Sequence, residues 1–173
     1  YFSKSADTFQ TTGTETPWVY SSGYAGLSKC NLTLVKPEDG AAVYTVRLGF
    51  VDTDSTKPGQ RVFDIKLQGK TVAQNFDIYA AAGGPNRVVT KEFRGIEVSD
   101  DLSLEFVPKT QGSPAQAPLL NCLEIERERV VQMGMVLPTA TVSDPEPTAS
   151  GVVTLGNSTD RDFDGVLRLT TSE

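Results

Sequence analysis

Apolar residues in this chain recur at every second position, segment after segment, and no helical stripe of useful length interrupts them. The clearest run is 43–51, where Tyr44, Val46, Leu48 and Phe50 fall on one face and Thr45, Arg47 and Gly49 on the other. Successive side chains of a strand point to opposite sides, so this pattern specifies a strand with one buried face. The same alternation runs through 28–35, with Cys30, Leu32 and Leu34 together, and through 61–67, with Phe63, Ile65 and Leu67 inward. It returns in 88–93, 102–107 and 119–126.

Turn chemistry punctuates these runs. Lys57-Pro58-Gly59-Gln60 reads as a turn, and Gln68-Gly69-Lys70 joins 61–67 to a strand starting at Thr71 as a hairpin. The small residues of 80–86 and the Gly, Pro, Ser and Gln of 110–118 read as loops, and Asp100-Asp101 as a turn. Many short strands with regular turns predict an all-β fold, an antiparallel β-sandwich of jelly-roll kind. The 38% of hydrophobic residues suffice for its core. The sandwich is expected over 1–129. A linker or edge segment containing Pro138, Pro145 and Pro147 is expected over 130–150. Alternating stretches at 151–155 and 163–169 then resemble the opening strands of an immunoglobulin-like domain, a partial hairpin over 151–173. Two strands alone are marginal in water, so 131–173 are expected to dock on the first domain or to be completed by other chain. The chain begins at Tyr1 without Met and is expected to be cut from a larger extracytoplasmic protein.

Composition removes several function classes. A net charge of −6 disfavours nucleic acid and anionic membrane surfaces, which need clustered Lys and Arg. No apolar run is long enough to span a membrane as a helix. The chain has no histidine, which excludes Ser-His-Asp and Cys-His nucleophile systems and histidine metal sites. Cys-x-x-Cys pairs, phosphate-cradling glycine loops and the dinucleotide fingerprint are missing as well. Paired carboxylates suffice for glycoside hydrolysis, but 22 acidic residues make some close pair inevitable, so a pair carries no signal. A non-catalytic module without a cofactor is expected.

Structural calcium stays open. Asp160, Asp162, Asp164 and Gly165 copy the first half of a calcium loop, but the twelfth position is Thr171, where a bidentate acid belongs. A solvated turn is the plainer reading, as it is for Asp52, Asp54, Asp100 and Asp101. A Cys30–Cys122 disulfide also stays open. Its long loop would contribute about 4–5 kcal/mol by chain entropy. Strand parity opposes it, because Cys30 is in phase with Leu32 whereas Cys122 is out of phase with Leu123 and Ile125. A bulge would be needed to bring both thiols to one face.

Trp18, Tyr20 and Tyr24 cluster before the first clear strand. Either their flat faces stack on sugar rings, with nearby amides and acids bonding hydroxyls, or they cap one end of the core. Tyr79 and Asn86 lie on a loop able to line the same rim.

The segments Tyr44-Thr45-Val46-Arg47-Leu48-Gly49-Phe50, Gly59-Gln60-Arg61-Val62-Phe63-Asp64-Ile65, Asn75-Phe76-Asp77-Ile78 and Asn121-Cys122-Leu123-Glu124-Ile125 together resemble the malectin family over about residues 17–128. The resemblance implies a β-sandwich that binds glucose-type oligosaccharides in some members. The matched residues carry architecture rather than binding. Of the family's sugar contacts, Tyr24 matches a tyrosine position. The place of an aromatic pair is taken by Asp52-Thr53-Asp54-Ser55, and the loop 111–118 lacks the family's binding aspartate. The candidate ligand set is therefore Trp18, Tyr20, Tyr24, Asp52, Asp54, Tyr79 and Asn86. Three functions follow: a carbohydrate-binding module, an assembly module contacting a neighbouring protein domain or other chains, or a piece of a glycan-active enzyme whose catalytic part lies elsewhere. Each implies an extracellular, periplasmic or cell-surface location.

Overall fold

The alternating runs become strands that sort into two main layers. The computed structural model describes residues 1–5, 9–35, 41–109, 116–128, 131–136 and 152–157, the last two segments as backbone. In chain order the strands are β1 (Phe2–Ser3), β2 (Ser22–Ala25), β3 (Lys29–Thr33), β4 (Ala42–Val51), β5 (Val62–Leu67), β6 (Lys70–Asp77), β7 (Val88–Val98), β8 (Asp101–Pro108), β9 (Leu119–Leu120), β10 (Cys122–Arg127), β11 (Val131–Val136) and β12 (Val152–Asn157). One sheet has the order β3-β8-β5-β6 and a second β10-β4-β7, with every pairing antiparallel. A small third sheet, β1-β2-β9, lies in the same unit. By its internal contacts the chain divides into two compact units, Tyr1–Arg127 and Glu128–Glu173.

The first unit is the all-β sandwich that the alternation predicts. Val46, Leu48 and Phe50 of β4 are buried with Phe63, Ile65 and Leu67 of β5 and with Leu102, Leu104 and Phe106 of β8. Four phenylalanines form its centre: Phe50 lies 5.0 Å from Phe76 and 6.0 Å from Phe63, and Phe63 lies 5.3 Å from Phe106. Tilted and edge-on pairs of this kind add about 0.5–1.5 kcal/mol each beyond area burial. The β5–β6 hairpin closes through Gln68 and Gly69, both left-handed at φ 50° and 73°. Positive φ at both central residues is what a turn matching the strand twist requires. The non-glycine member is held by its amide, which donates to the Asp101 carbonyl at 3.1 Å and accepts from Ser103 N–H at 2.7 Å.

Three local expectations are revised, and the open disulfide question is decided. The stretch 80–86 is not wholly loop: its first three residues belong to a short helix α1 (Ile78–Ala82), capped by the Asp77 side chain, which accepts from Ala80 N–H, and ended by left-handed Gly83. The strand read at 88–93 continues to Val98 across a bulge, where Arg94 and Gly95 oppose the single residue Thr45. The closing strand 119–126 breaks at Asn121 into β9 and β10, which belong to different sheets. Asn121 bridges the break: Oδ1 accepts from Val51 N–H at 2.8 Å, and Nδ2 donates to the carbonyls of Tyr20 and Ser22 at 2.9 and 3.1 Å. Last, the Cys30–Cys122 bond is not formed and both thiols are free. Cys30 pairs with Leu104 in one sheet and Cys122 with Gly49 in the other. The parity argument describes them correctly, since one faces the core and the other faces out.

In the second unit β11 and β12 pair antiparallel from Val131↔Asn157 to Val136↔Val152. β11 lies in the part read as linker or edge segment, and β12 overlaps the stretch read as 151–155. The prolines of the linker, the stretch 163–169 and the calcium-like Asp160, Asp162 and Asp164 lie outside the described residues.

Candidate functional site

The aromatic stretch is organised by a single turn of 3-10 helix, Pro17–Tyr20, with proline at its first position. That turn splits three neighbouring residues. Trp18 and Val19 stay exposed, at 61% and 37%, while Tyr20 is buried at 8%. Tyr20 lies over Gly49 on the outer face of β4. A Cβ at Gly49 would sit 2.8 Å from the Tyr20 ring and 3.0 Å from Cys122 Cβ, so the missing side chain is the seat of the ring. Burial, with Glu124 nearby as a smaller cause, pushes the Cys122 thiol pKa up from its ordinary value. Tyr20 is thus buried on the outer face of β4, apart from the core cluster, and its ring is not displayed as the ligand set expects.

Strand β2 presents Tyr24. Its neighbour Gly23 lies so close to β9 that an added Cβ would meet the Leu120 carbonyl oxygen at 2.5 Å, so only glycine allows the pairing. Tyr24 then alternates outward, 53% exposed, and its ring meets that of exposed Tyr1 edge-on at 5.5 Å. Trp18, Val19 and Tyr24 are the large apolar side chains that this stretch offers to a partner.

The Asp52 loop does the reverse. Asp52 is 1% exposed; Oδ1 accepts from the N–H groups of Asp54 and Ser55 at 3.0 and 3.1 Å, and Oδ2 accepts from Ser55 Oγ at 2.7 Å. Arg61, also 1% exposed, places Nε 3.0 Å from Asp52 Oδ2. The Nε–H is not aimed at that oxygen, so the contact is charge pairing, and Nε is the buried side-chain nitrogen left without an acceptor among the described residues. The other guanidinium nitrogens donate to Asp54 Oδ2 and to the Ala117 carbonyl, both at 3.1 Å. Asp52 is therefore consumed internally and corrected as a ligand-binding or cation-binding candidate. Arg61 already supplies the positive charge a calcium ion would bring. Among the described residues no cluster of three His, Cys, Asp or Glu is arranged to hold a metal ion. Asp54 remains half outside, with its side chain 56% exposed.

Asn86 is exposed and left-handed at φ 54°. Its N–H donates to the Asp52 carbonyl at 3.0 Å, and its carbonyl accepts from Thr12 N–H at 3.0 Å and Thr11 Oγ1 at 2.9 Å. The Asp52 and Asn86 loops meet through backbone. Tyr79 is half-buried on α1, and its carbonyl receives Gly84 N–H at 3.0 Å.

Gln60, Asp64 and Asp77 of the matched segments have the same internal use. Gln60 Oε1 accepts from the N–H groups of Thr56 and Lys57 at 2.7 and 3.0 Å. Asp77 accepts from Gly59 N–H at 2.6 Å besides capping α1. Asp64 accepts from Lys109 Nζ at 2.7 Å and from the N–H of left-handed Asn75 at 2.8 Å. Those two bonds, Lys109 first, hold the Asp64 carboxyl below its usual range. Arg61 and Asn121 are the organising residues that the candidate set omits. The signal for Arg61 was its place in a strand beside a loop holding two acids. Asn121 carried no comparable signal.

The sequence profile of the family described as Malectin domain matches residues 1–113. A probable receptor-like protein kinase of Arabidopsis thaliana is 36% identical over 84 residues, which are 47% of this chain and 10% of the kinase. Among solved structures, the plant complex of peptide RALF23 with the receptor-like kinase FER and LLG2 matches at 26% identity and TM-score 0.54, over 72% of this chain and 37% of that one. A β-glucuronidase of Bacteroides uniformis shares the fold at 15% identity and TM-score 0.56, over 69% of this chain and 13% of the enzyme. The chain thus spans only a small part of the proteins it matches. Membership of this family and likeness to a receptor-like kinase are in keeping with a non-catalytic module at the cell surface or outside the cell. With the profile covering well over half of the sequence and every signature segment found in the sandwich or its loops, the chain belongs to the malectin domain family.

Proposed function

We propose that this malectin domain is a recognition module that docks a neighbouring protein or peptide through Trp18, Val19 and Tyr24. The observation carrying this reading is the exposure of Trp18 and Tyr24 on either side of buried Tyr20. Large amphipathic rings give contact area at low entropy cost and dominate protein interfaces. The FER structure that this chain resembles contains a peptide and a protein partner, in keeping with that use of the fold.

A glycan reading competes, because the same rings can stack on sugars. It needs convergent acids and amides beside the rings, and Asp52 is spent on Arg61 and its own loop. Asp54 and Asn86 are what remains for hydroxyls.

Trp18 is the sole tryptophan and serves as its own reporter. Hydroxyl-radical footprinting of Trp18 in the full-length parent, in its native assembly, should show strong protection relative to the isolated chain. Equal oxidation in both removes the docking reading. Protection of the isolated chain by maltose would instead establish the glycan reading.

A further inference from the structure

Asn31-Leu32-Thr33 forms the acceptor pattern for N-linked glycosylation, Asn-x-Thr with x not proline. Such a triplet matters only where the asparagine is accessible and the protein passes through an exporting compartment. The structure meets the first condition, and the second rests on the reading of this domain as a cell-surface module. On β3 the buried and exposed positions alternate: Cys30 and Leu32 are half-buried, while Lys29, Asn31 and Thr33 are exposed. Asn31 pairs with Ser103 of β8, so its side chain stands on the outer face of the sheet. β3 is also the edge of that sheet, with no strand beyond it among the described residues. Membership of the family is in keeping with a module at the cell surface or outside the cell.

We propose that Asn31 carries an N-linked glycan. The donor is a lipid-linked oligosaccharyl diphosphate, and the catalyst is the oligosaccharyltransferase of the secretory route. Asn31 Nδ2 attacks the anomeric carbon of the first sugar and forms the C–N bond. The bond from that carbon to the diphosphate oxygen breaks, the lipid diphosphate leaves with the electron pair, and the amide gives up one proton to the enzyme's base. Thr33 supplies the hydroxyl that the acceptor pattern requires. In the folded domain that hydroxyl donates to Asp101 Oδ1 at 2.7 Å, so transfer precedes closure of the β3–β8 pair. A glycan at this place has a physical consequence. An edge strand offers unpaired backbone groups to any other chain, and a bulky hydrated substituent blocks that approach. The β3 edge would be shielded, and Trp18 and Tyr24 left as the contact face.

The test is peptide-level mass spectrometry of the parent protein purified from its own cells. Asn157-Ser158-Thr159 repeats the acceptor pattern, so the modified peptide must be identified rather than the total mass. The peptide carrying Asn31 should be recovered mainly as a glycopeptide, and amidase release should convert that asparagine to aspartate. Thr33→Ala should abolish the modification, whereas Thr33→Ser should retain it. Recovery of the Asn31 peptide only in unmodified form overturns the proposal, as does a glycopeptide that survives Thr33→Ala.

Discussion

The stretch 52–77 and the stretch 17–24 treat their side chains in opposite ways. In the first, Asp52, Gln60, Arg61, Asp64 and Asp77 turn their polar groups onto backbone N–H and C=O groups and onto each other. In the second, Trp18 and Tyr24 turn rings toward solvent and Tyr20 turns one back onto Gly49. The difference lies in how each backbone is satisfied. Where the 52–61 loop and the bulge of the β5–β6 hairpin leave the strand ladder, this stretch has orphaned peptide groups that must find partners nearby, because leaving one unpaired costs about 1–3 kcal/mol. Its acids and amides are conscripted for that. The shorter stretch closes its own turn, with Ser21 N–H donating to the Trp18 carbonyl, and borrows Asn121 for the rest. Its side chains are left for other use.

This contrast can be broken most forcefully at Arg61. Arg61→Met strands the Asp52 carboxylate in the interior and should cost about 3–5 kcal/mol in urea unfolding. Adding Asp52→Asn should recover part of that loss; a double variant no more stable than the single one would show that charge pairing is not the cause. The next largest effect separates two aromatics two residues apart. Tyr20→Ala should cost about 3 kcal/mol, as for other large rings removed from a packed site. Trp18→Ala should stay within about 0.5 kcal/mol while weakening partner contact. Equal costs would erase the distinction between buried and displayed rings.

The smallest effect is in acid. Asp64 titrates below the ordinary aspartate value of 3.8 in the folded domain, with the Lys109 hydrogen bond the larger cause and the Asn75 N–H the next. A depressed carboxyl contributes stability that is complete above its unfolded value and is lost as pH falls through the folded one. The urea midpoint should therefore drop on acidification below about pH 4. The drop should be shallower in Asp64→Asn, and identical acid limbs would remove Asp64 from the account.

How much of this was legible in advance depended on the range of the interaction. β4 and β5 were readable because burial of one sheet face writes a period of two into the chain itself. The cysteine parity was readable for the same reason. α1 carried a visible sign, an Asp at its cap position, outweighed by the run of small residues ending in Gly83-Gly84-Pro85. The break at Asn121 had no local sign, because its partners Val51 and Tyr20 are 70 and 101 positions away. Asp52 and Asp54 read as solvent-facing loop acids, and Arg61, close after them in sequence, reads as a strand residue rather than as one that reaches under their loop.

By itself the sequence determined the fold class, the central strands, the hairpin turn, the malectin signature and the exclusion of histidine chemistry. Each follows from local periodicity, from composition, or from short segments whose meaning does not depend on distant residues. Only the tertiary structure decided which of Trp18, Tyr20 and Tyr24 is displayed and which acids are spent. Those outcomes rest on what lies across the sheet, the bare backbone of Gly49 under one ring and the buried guanidinium of Arg61 beneath two carboxylates. Residue type sets what a side chain is able to do, but the space and charge opposite it set what it does.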